Sequence, residues 1–273
     1  MSTAGPGSPG PAVPSRFGPG WARRAGALSF PLLWRARGHG RHYVPRTGPV
    51  LLACNHVGFL DGPLLVAMSP RGVHCLIKSE LFEGAIGLLM RATGQIGVRR
   101  ESGSGDRAAM GAALAVLRRG GVVWIFPEGS RGRGDVAEVR TGIAWLAMRS
   151  GAPVVPVACL GARWTGESVE RLPPFRRRLD VVFGPPVPVV PAPGVPGRVA
   201  LVRAAEELRA VLARHVREAV EATGQRLPAD DGPDGHGSGS GQGRNASGPD
   251  RRGSDPDGHE GDRDECERRG DRS

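Results

Sequence analysis

Short runs of apolar residues recur along the middle of the chain, and segments with helical periodicity separate them. The runs at residues 50–54, 122–126 and 154–159 are continuously apolar, which is typical of strands buried on both faces of a sheet. Between the first two runs, residues 106–119 carry apolar side chains at helical spacing, and Asp106 is a candidate N-cap. This alternation predicts an α/β fold in which helices flank a mostly parallel central sheet.

The two ends of the chain differ in composition from this middle part. Residues 1–20 are rich in Gly, Pro and Ser, and residues 226–273 are polar with mixed charge, so neither end can bury much apolar surface. We therefore predict a disordered N-terminal segment over residues 1–20, one folded domain over residues 45–225, and a disordered charged tail over residues 226–273.

Residues 21–44 join the N-terminal segment to the predicted domain. They carry Trp21, Phe30 and Trp34 close to several arginines, a combination that suits the headgroup region of a membrane. We predict an interfacial, membrane-associating segment here. A helix that packs on the domain is the alternative.

The charge of the chain is unevenly distributed. The net charge is +10, but residues 227–273 carry 12 acidic and 7 basic side chains, which leaves +15 on the first 226 residues. A body this basic favours an anionic partner, and we predict an anionic membrane surface rather than nucleic acid, because no nucleic-acid-binding motif is present. We find neither a signal peptide nor an apolar run long enough to span a bilayer. The expected location is cytoplasmic, peripheral on the inner face of the cell membrane.

The four cysteines give no sign of a metal or disulfide site. They lack C-x-x-C spacing, and three of them lie in or beside apolar runs, where a buried reduced thiol is the usual state. No cluster of His, Asp and Glu has metal-ligand spacing either. We therefore predict neither a metal nor a cofactor.

Polar clusters follow two of the predicted strands, and the carboxyl ends of strands are where open α/β sheets bind ligands. Asn55 and His56 follow the first apolar run, with Asp61 five residues after His56, and Glu128 to Arg131 follow the run at 122–126. A histidine held by a carboxylate can act as a general base. Because Ser130 is not in a nucleophile elbow and Cys54 lies in an apolar run, such a base would activate a hydroxyl of the substrate. Taken alone, a histidine and an aspartate at this spacing are a weak signal, because a purely structural role explains such a pair at least as well as a catalytic one.

Four strings in order make the pattern more specific. They are residues 55–61 (NHVGFLD), 94–100 (GQIGVRR), 126–131 (FPEGSR) and 154–157 (VVPV). In this order they resemble the four motifs of the glycerophospholipid acyltransferase family, the bacterial 1-acylglycerol-3-phosphate acyltransferases above all. The resemblance implies an enzyme that moves a fatty acyl chain from acyl-CoA, or from acyl carrier protein, to the free hydroxyl of 1-acylglycerol-3-phosphate. The product would be phosphatidic acid, in phospholipid biosynthesis.

The resemblance also implies roles for individual residues. His56 would be the catalytic base and Asp61 its partner, and the substrate-binding residues would be Asn55, Arg100, Glu128, Gly129, Arg131 and Pro156. Within that set, Arg100 and Arg131 would hold the acceptor's phosphate, and Pro156 would shape the acyl or CoA side. Arg163 and the run at 176–178 are interpreted as surface charge at a membrane face.

Differences from the family pattern leave the acceptor open. Gly58, Gly97 and Arg99 stand where relatives often carry other residue types. Three alternatives remain: the same chemistry on glycerol 3-phosphate or another lysolipid, a catalytically weak lipid-binding protein on this scaffold, and a basic nucleic-acid-binding protein.

Overall fold

The computed structural model describes residues 13–99, 106–190, 194 and 196–232. These lie within the first of two compact units of the chain, residues 1–237, and the second unit, residues 238–273, lies outside the described residues. The disorder predicted for most of the two ends therefore concerns residues that the structure does not describe.

A seven-stranded sheet forms the centre of the described part of the chain. In chain order its strands are β1 (Arg35–His39), β2 (Val50–Cys54), β3 (Val73–Lys78), β4 (Ile96–Val98), β5 (Val122–Ile125), β6 (Val154–Leu160) and β7 (Arg178–Phe183). The spatial order is β1-β7-β6-β2-β5-β3-β4, and every neighbouring pair is parallel except β6 with β7. The predicted fold class is confirmed.

Helices cover both faces of this sheet. They are α1 (Gly18–Leu33), α2 (Asp61–Met68), α3 (Gly84–Ala92), α4 (Arg107–Arg118), α5 (Gly142–Ser150) and α6 (Gly197–Thr223), with short 3-10 helices at Arg41–Tyr43 and Ser79–Phe82. Leu51 and Ala53 of β2 pack in one core cluster with residues of α4, α5 and α6. Val50, Leu52 and Cys54 pack in the other with residues of α1 and α2. Because alternate residues of a strand face opposite sides of the sheet, a strand such as β2 that is buried on both sides needs a continuous run of apolar residues.

Asp106 caps α4 as the sequence predicted. The Asp106 side chain accepts a hydrogen bond of 3.0 Å from the Ala109 amide, which satisfies one of the unpaired donors at the start of the helix. Gly120 has a φ of +77° beyond the end of the helix, a conformation that glycine adopts without strain.

The ordered fold extends beyond the predicted domain at both ends. α1 begins at Gly18, and β1 pairs with β7 from Arg35 opposite Arg178, so the sheet starts ten residues before position 45. At the other end, Asp230 forms an ion pair of 2.7 Å with Arg163. β1 had no hydrophobic signature because it is an edge strand in which no residue is fully buried.

The aromatic residues of α1 and the link after it bind to the domain. The indole N–H groups of Trp21 and Trp34 donate to the carbonyl oxygens of Ala92 and Pro173, and Phe30 is buried. The most exposed large apolar side chains of α1 are leucines, with Leu28 75% and Leu32 74% exposed. Within the described residues, no helix is long and apolar enough to cross a membrane.

Candidate active site

The two polar clusters predicted from the sequence lie side by side. β2 and β5 are parallel neighbours, with Ala53 opposite Ile125, so their carboxyl ends reach the same edge of the sheet. His56 follows the end of β2, and Glu128 follows the end of β5. The backbone amide of His56 donates to Glu128 Oε1 at 3.0 Å, which joins the two loops directly.

His56 and Asp61 are in hydrogen-bond contact. His56 Nδ1 lies 2.9 Å from Asp61 Oδ2, and the same oxygen accepts from the amides of Val57 at 2.7 Å and Gly58 at 2.9 Å. The Asp61 side chain is 0% exposed and the His56 side chain 16% exposed. A carboxylate acceptor at Nδ1 places the proton on that nitrogen and the lone pair on Nε2, which is the arrangement of a general base.

Phe126 fixes the plane of the imidazole. Its ring stacks on the His56 ring with 3.6 Å between centroids and 6° between planes, and it meets Trp124 edge-on at 4.8 Å. The sequence had shown Phe126 at the end of an apolar run and at the start of the third motif, but gave it no role. Contact with the neighbouring histidine became visible once the two strands were paired.

Glu128 is an internal acceptor that joins two loops. The pKa of its carboxyl is raised to about 7, mainly by burial; the carboxylates of Asp135 and Asp61 contribute to the rise, and hydrogen bonds from the amides of His56 and Val136 oppose it. Val136 is buried with a φ of +59°, a strained conformation for a β-branched residue, which its surroundings must hold in place. Glu128 therefore organises the loop around the site.

The raised pKa of Glu128 gives a prediction for stability against pH. Burial makes the ionised form of Glu128 unfavourable in the folded protein. The unfolding free energy that the protonated carboxyl contributes is therefore fully present below its ordinary pKa of 4.5 and is lost as the pH rises through about 7. Glu128→Gln keeps an oxygen for the His56 amide but cannot ionise. Relative to this variant, the wild-type protein should lose about 2–3 kcal/mol of unfolding free energy between pH 4.5 and pH 8, measured by urea unfolding. A difference that does not change with pH would refute this.

Gly129 lies beside an arginine that the sequence analysis missed. Gly129 has a φ of +78°, and the Arg140 guanidinium occupies the place where a Cβ at Gly129 would lie. Arg140 is exposed, and within the described ranges its side chain makes no hydrogen bond or ion pair. Arg140 lies outside the four sequence motifs, and only the turn of the 129–140 loop brings it close to Gly129.

Of the two arginines predicted to bind phosphate, the structure places one. Arg131 Nη1 pairs with Glu170 Oε1 at 2.7 Å and donates to the Val169 carbonyl at 3.2 Å. Its side chain is partly exposed, so an anion could reach the guanidinium. Arg100 lies outside the described residues.

Asn55 and Pro156, both predicted to bind substrate, are buried in this structure. Asn55 is 0% exposed, and its side chain binds the amide and carbonyl of Cys159 and the Gly134 carbonyl. It therefore joins β2 to β6 beneath the site. Pro156 lies in β6 and lines a small apolar cavity with Pro127 and residues of α6.

The interpretation of Arg163 and Arg177 as surface charge is wrong. Arg163 is 1% exposed, and its guanidinium lies among the loops of the site. Arg177 is buried too, held by both carboxylate oxygens of Glu167 at 2.6 Å, with its guanidinium 3.8 Å over the Trp164 ring. Sequence alone could not show this, because the partners of both arginines come from irregular loops.

The cysteines near the site are poor nucleophiles. Cys54 and Cys159 have their sulfur atoms 3.3 Å apart, both are buried, and burial is the main cause that raises the pKa of Cys54 well above its usual range. In the part of the chain that the structure describes, no group of three or more His, Cys, Asp or Glu side chains could hold a metal ion.

Comparison with known proteins shows which sequences and folds resemble this chain. Residues 35–160 match the model of the family described as Acyltransferase. The 1-acyl-sn-glycerol-3-phosphate acyltransferase of Bacillus subtilis is 30% identical over 125 residues, which are 45% of this chain and 61% of that protein. Over residues 35–160 the chain is thus similar in sequence to glycerophospholipid acyltransferases. The matched region contains His56, Asp61, Glu128 and Arg131.

Further proteins that resemble this part of the chain carry related names. The 1-acyl-sn-glycerol-3-phosphate acyltransferase alpha of Ovis aries is 31% identical over 128 residues, 45% of this chain and 44% of that protein. The lyso-ornithine lipid O-acyltransferase of Pseudomonas aeruginosa is 36% identical over 113 residues, 40% of this chain and 42% of that protein. The chain thus spans about half of the length of these relatives.

The fold of the domain also has a solved counterpart. The 1-acyl-sn-glycerophosphate acyltransferase PlsC of Thermotoga maritima superposes with a TM-score of 0.54 at 19% identity, over 75% of this chain and 79% of that one. The likeness extends the shared fold beyond residue 160, where the sequence match to the family ends.

Proposed function

We propose that the chain transfers a fatty acyl group from an acyl thioester to the free hydroxyl of 1-acylglycerol-3-phosphate and so makes phosphatidic acid. The observation that carries this proposal is the His56–Asp61 pair, whose partly exposed imidazole has Nε2 as its basic nitrogen. Both described thiols beside the pair are buried, so the geometry suits direct attack by a substrate hydroxyl. The names of the relatives support the choice of acceptor.

The reaction proceeds in two steps around His56. Nε2 takes the proton of the acceptor hydroxyl as that oxygen bonds to the thioester carbonyl carbon, and a tetrahedral oxyanion forms. Collapse of the oxyanion breaks the carbon–sulfur bond, and the imidazolium returns its proton to the departing thiolate. Asp61 stabilises the imidazolium, and stacking on Phe126 keeps the ring in one plane.

Arginines beside the 128–131 turn are our candidates for the acceptor's phosphate. Arg131 has a planar fork that can bind two oxygens, and Arg140 presents its guanidinium at Gly129. Arg100 completes the predicted set from the second motif. Glu170, bound to Arg131 in this structure, would share the guanidinium with the phosphate or give way to it.

Arg131→Lys tests phosphate recognition. A lysine keeps the charge but not the fork, so KM for 1-acylglycerol-3-phosphate should rise by about 10- to 100-fold, corresponding to about 1.5–3 kcal/mol for a charge-assisted hydrogen bond. KM for the acyl thioester should stay within about twofold of the wild-type value. Arg133→Lys is the matched control, because Arg133 lies in the same loop and contacts only Asp135, at 3.8 Å, among the ion pairs of the described residues. A rise in the thioester KM instead would place Arg131 on the donor side.

A membrane surface is the proposed location of this reaction. α1 and α3 meet where Trp21 donates to Ala92, and both expose aliphatic side chains: Leu28, Leu32, Ile86, Leu88 and Leu89. The excess of basic residues in the first 226 positions favours anionic lipid. We propose peripheral binding to the inner face of the cell membrane, with acyl-CoA or acyl carrier protein delivering the chain. Equal co-sedimentation with anionic and zwitterionic vesicles would contradict the electrostatic part.

A second acceptor class has a specific observation in its favour. The relative named for lyso-ornithine lipid is 36% identical, more than the relatives named for 1-acylglycerol-3-phosphate quoted above. Thiol release should therefore be measured with several acyl-CoA lengths against 1-acylglycerol-3-phosphate, glycerol 3-phosphate and lyso-ornithine lipid. We expect the highest kcat/KM with 1-acylglycerol-3-phosphate. A higher value for another acceptor would replace it, and no release with any of them would refute acyl transfer.

A further inference from the structure

Arg163 is a buried arginine whose donors are all satisfied. A guanidinium has five N–H donors. Nε donates to the Val57 carbonyl at 2.9 Å, Nη2 to the carbonyls of Gly132 at 2.9 Å and Asp230 at 2.6 Å, and Nη1 to Asp230 Oδ1 at 2.7 Å and the Glu167 carbonyl at 3.3 Å. Moving this buried guanidinium would break several of its hydrogen bonds, so its partners fix its position.

The partners of Arg163 come from four separate segments of the chain. Val57 follows His56 in the loop after β2, Gly132 lies in the loop after β5, Glu167 lies between β6 and β7, and Asp230 lies after α6. Gly132 also donates its amide to the His56 carbonyl at 3.0 Å. One guanidinium therefore holds both loops that carry the candidate catalytic and phosphate-binding residues.

Asp230 keeps Arg163 in this position. Its second carboxylate oxygen accepts from the Gly166 amide at 2.7 Å, and the Ala229 amide donates to Thr165 Oγ1 at 3.0 Å. The bonds from Arg163 and Gly166 lower the pKa of the Asp230 carboxyl, so it is ionised at neutral pH. Asp230 is partly exposed while Arg163 is 1% exposed, so the carboxylate mainly serves to satisfy the buried cation.

We propose that Arg163 and Asp230 are a positioning pair for acyl transfer, and that residues 227–230 after the last helix are part of the framework of the active site. This inference rests on the proposed function for its kinetic consequence, but not for its structural one. Loss of the pair would let the Val57 and Gly132 carbonyls separate and would shift His56 relative to the 128–131 turn. A displacement of about 1 Å can cost about 100-fold in rate.

The test compares Asp230→Asn with Asp231→Asn. Both variants remove one negative charge from the same segment, but Asp231 is exposed and makes no ion pair among the described residues. We expect Asp230→Asn to lower kcat by about 10- to 100-fold and Asp231→Asn to stay within about twofold of wild type. Amide hydrogen exchange should become about tenfold faster at Val57, Gly58 and Gly132, while amides of α4 keep their protection.

Two results would overturn the proposal. One is wild-type kcat and wild-type exchange in Asp230→Asn. The other is a uniform loss of protection that includes α4, which would make the pair a general stabilising contact. Should Asp230→Asn fail to fold, Asp230→Glu keeps the charge but shifts it by one methylene. We expect it to fold with the same local loss of protection and a lower kcat, and wild-type values of both would overturn the proposal.

Failure of the proposed function would be recognised separately. A wild-type protein without acyl transfer to any acceptor would refute the function, whereas the exchange rates at Val57, Gly58 and Gly132 would still decide the positioning role.

Discussion

Replacing His56 by alanine is expected to abolish most acyl transfer while leaving the fold intact. Loss of a general base typically costs about 100- to 10,000-fold in rate. The His56 side chain is 16% exposed and belongs to a loop, so its removal opens no cavity in either core cluster. Steady-state thiol release at saturating substrates should show a fall in kcat of at least about 100-fold, with an unchanged circular dichroism spectrum.

Asp61→Asn provides the partner measurement for this prediction. The amide can still bind one backbone N–H but cannot stabilise the imidazolium, so kcat should again fall severely. Near-native turnover in His56→Ala would rule out His56 as the base. A severe loss in Asp61→Asn alone would assign Asp61 a role that does not pass through the histidine.

Ending the chain at Arg226 is expected to destabilise it much more than ending it at Gly232. Composition alone predicts that residues 227–273 are dispensable, but Leu227 packs against both core clusters, Pro228 is buried, and Asp230 binds Arg163. Removing Asp230 leaves a buried guanidinium without its carboxylate. The melting temperature should fall by about 10 °C for the shorter chain and by less than about 2 °C for the longer one.

Thermal unfolding of the two truncated proteins beside the full chain decides this point. Equal melting temperatures for all three would show that the domain ends at Arg226, as composition suggested. A similar large loss in both truncations would move the boundary beyond Gly232.

The elements that the sequence predicted well are those in which one residue type determines the local structure. The apolar run predicted a strand buried on both faces of the sheet, and β2 has the predicted bounds, Val50–Cys54. Asp106 caps α4 through its own backbone neighbours, three residues away. His56 and Asp61 could be paired because they are only five positions apart in the sequence.

Features that depend on distant partners could not be read in this way. β1 is a polar edge strand, and only its pairing with β7, more than 140 residues later, makes it part of the sheet. Arg163 is 67 residues from Asp230, so nothing local distinguished it from a surface arginine. Asn55 stood directly before the candidate base His56 in the motif, yet its side chain binds the backbone of Cys159 in β6.

The central claim, that His56 activates the acceptor's own hydroxyl without an acyl-enzyme, is tested most directly by counting products. Wild-type protein is mixed with acyl-CoA, first without and then with 1-acylglycerol-3-phosphate, while free thiol and phosphatidic acid are quantified. We predict no burst of thiol before the acceptor is added, and equal molar amounts of thiol and phosphatidic acid afterwards. A stoichiometric burst of thiol without acceptor, or thiol release without phosphatidic acid, would contradict the claim.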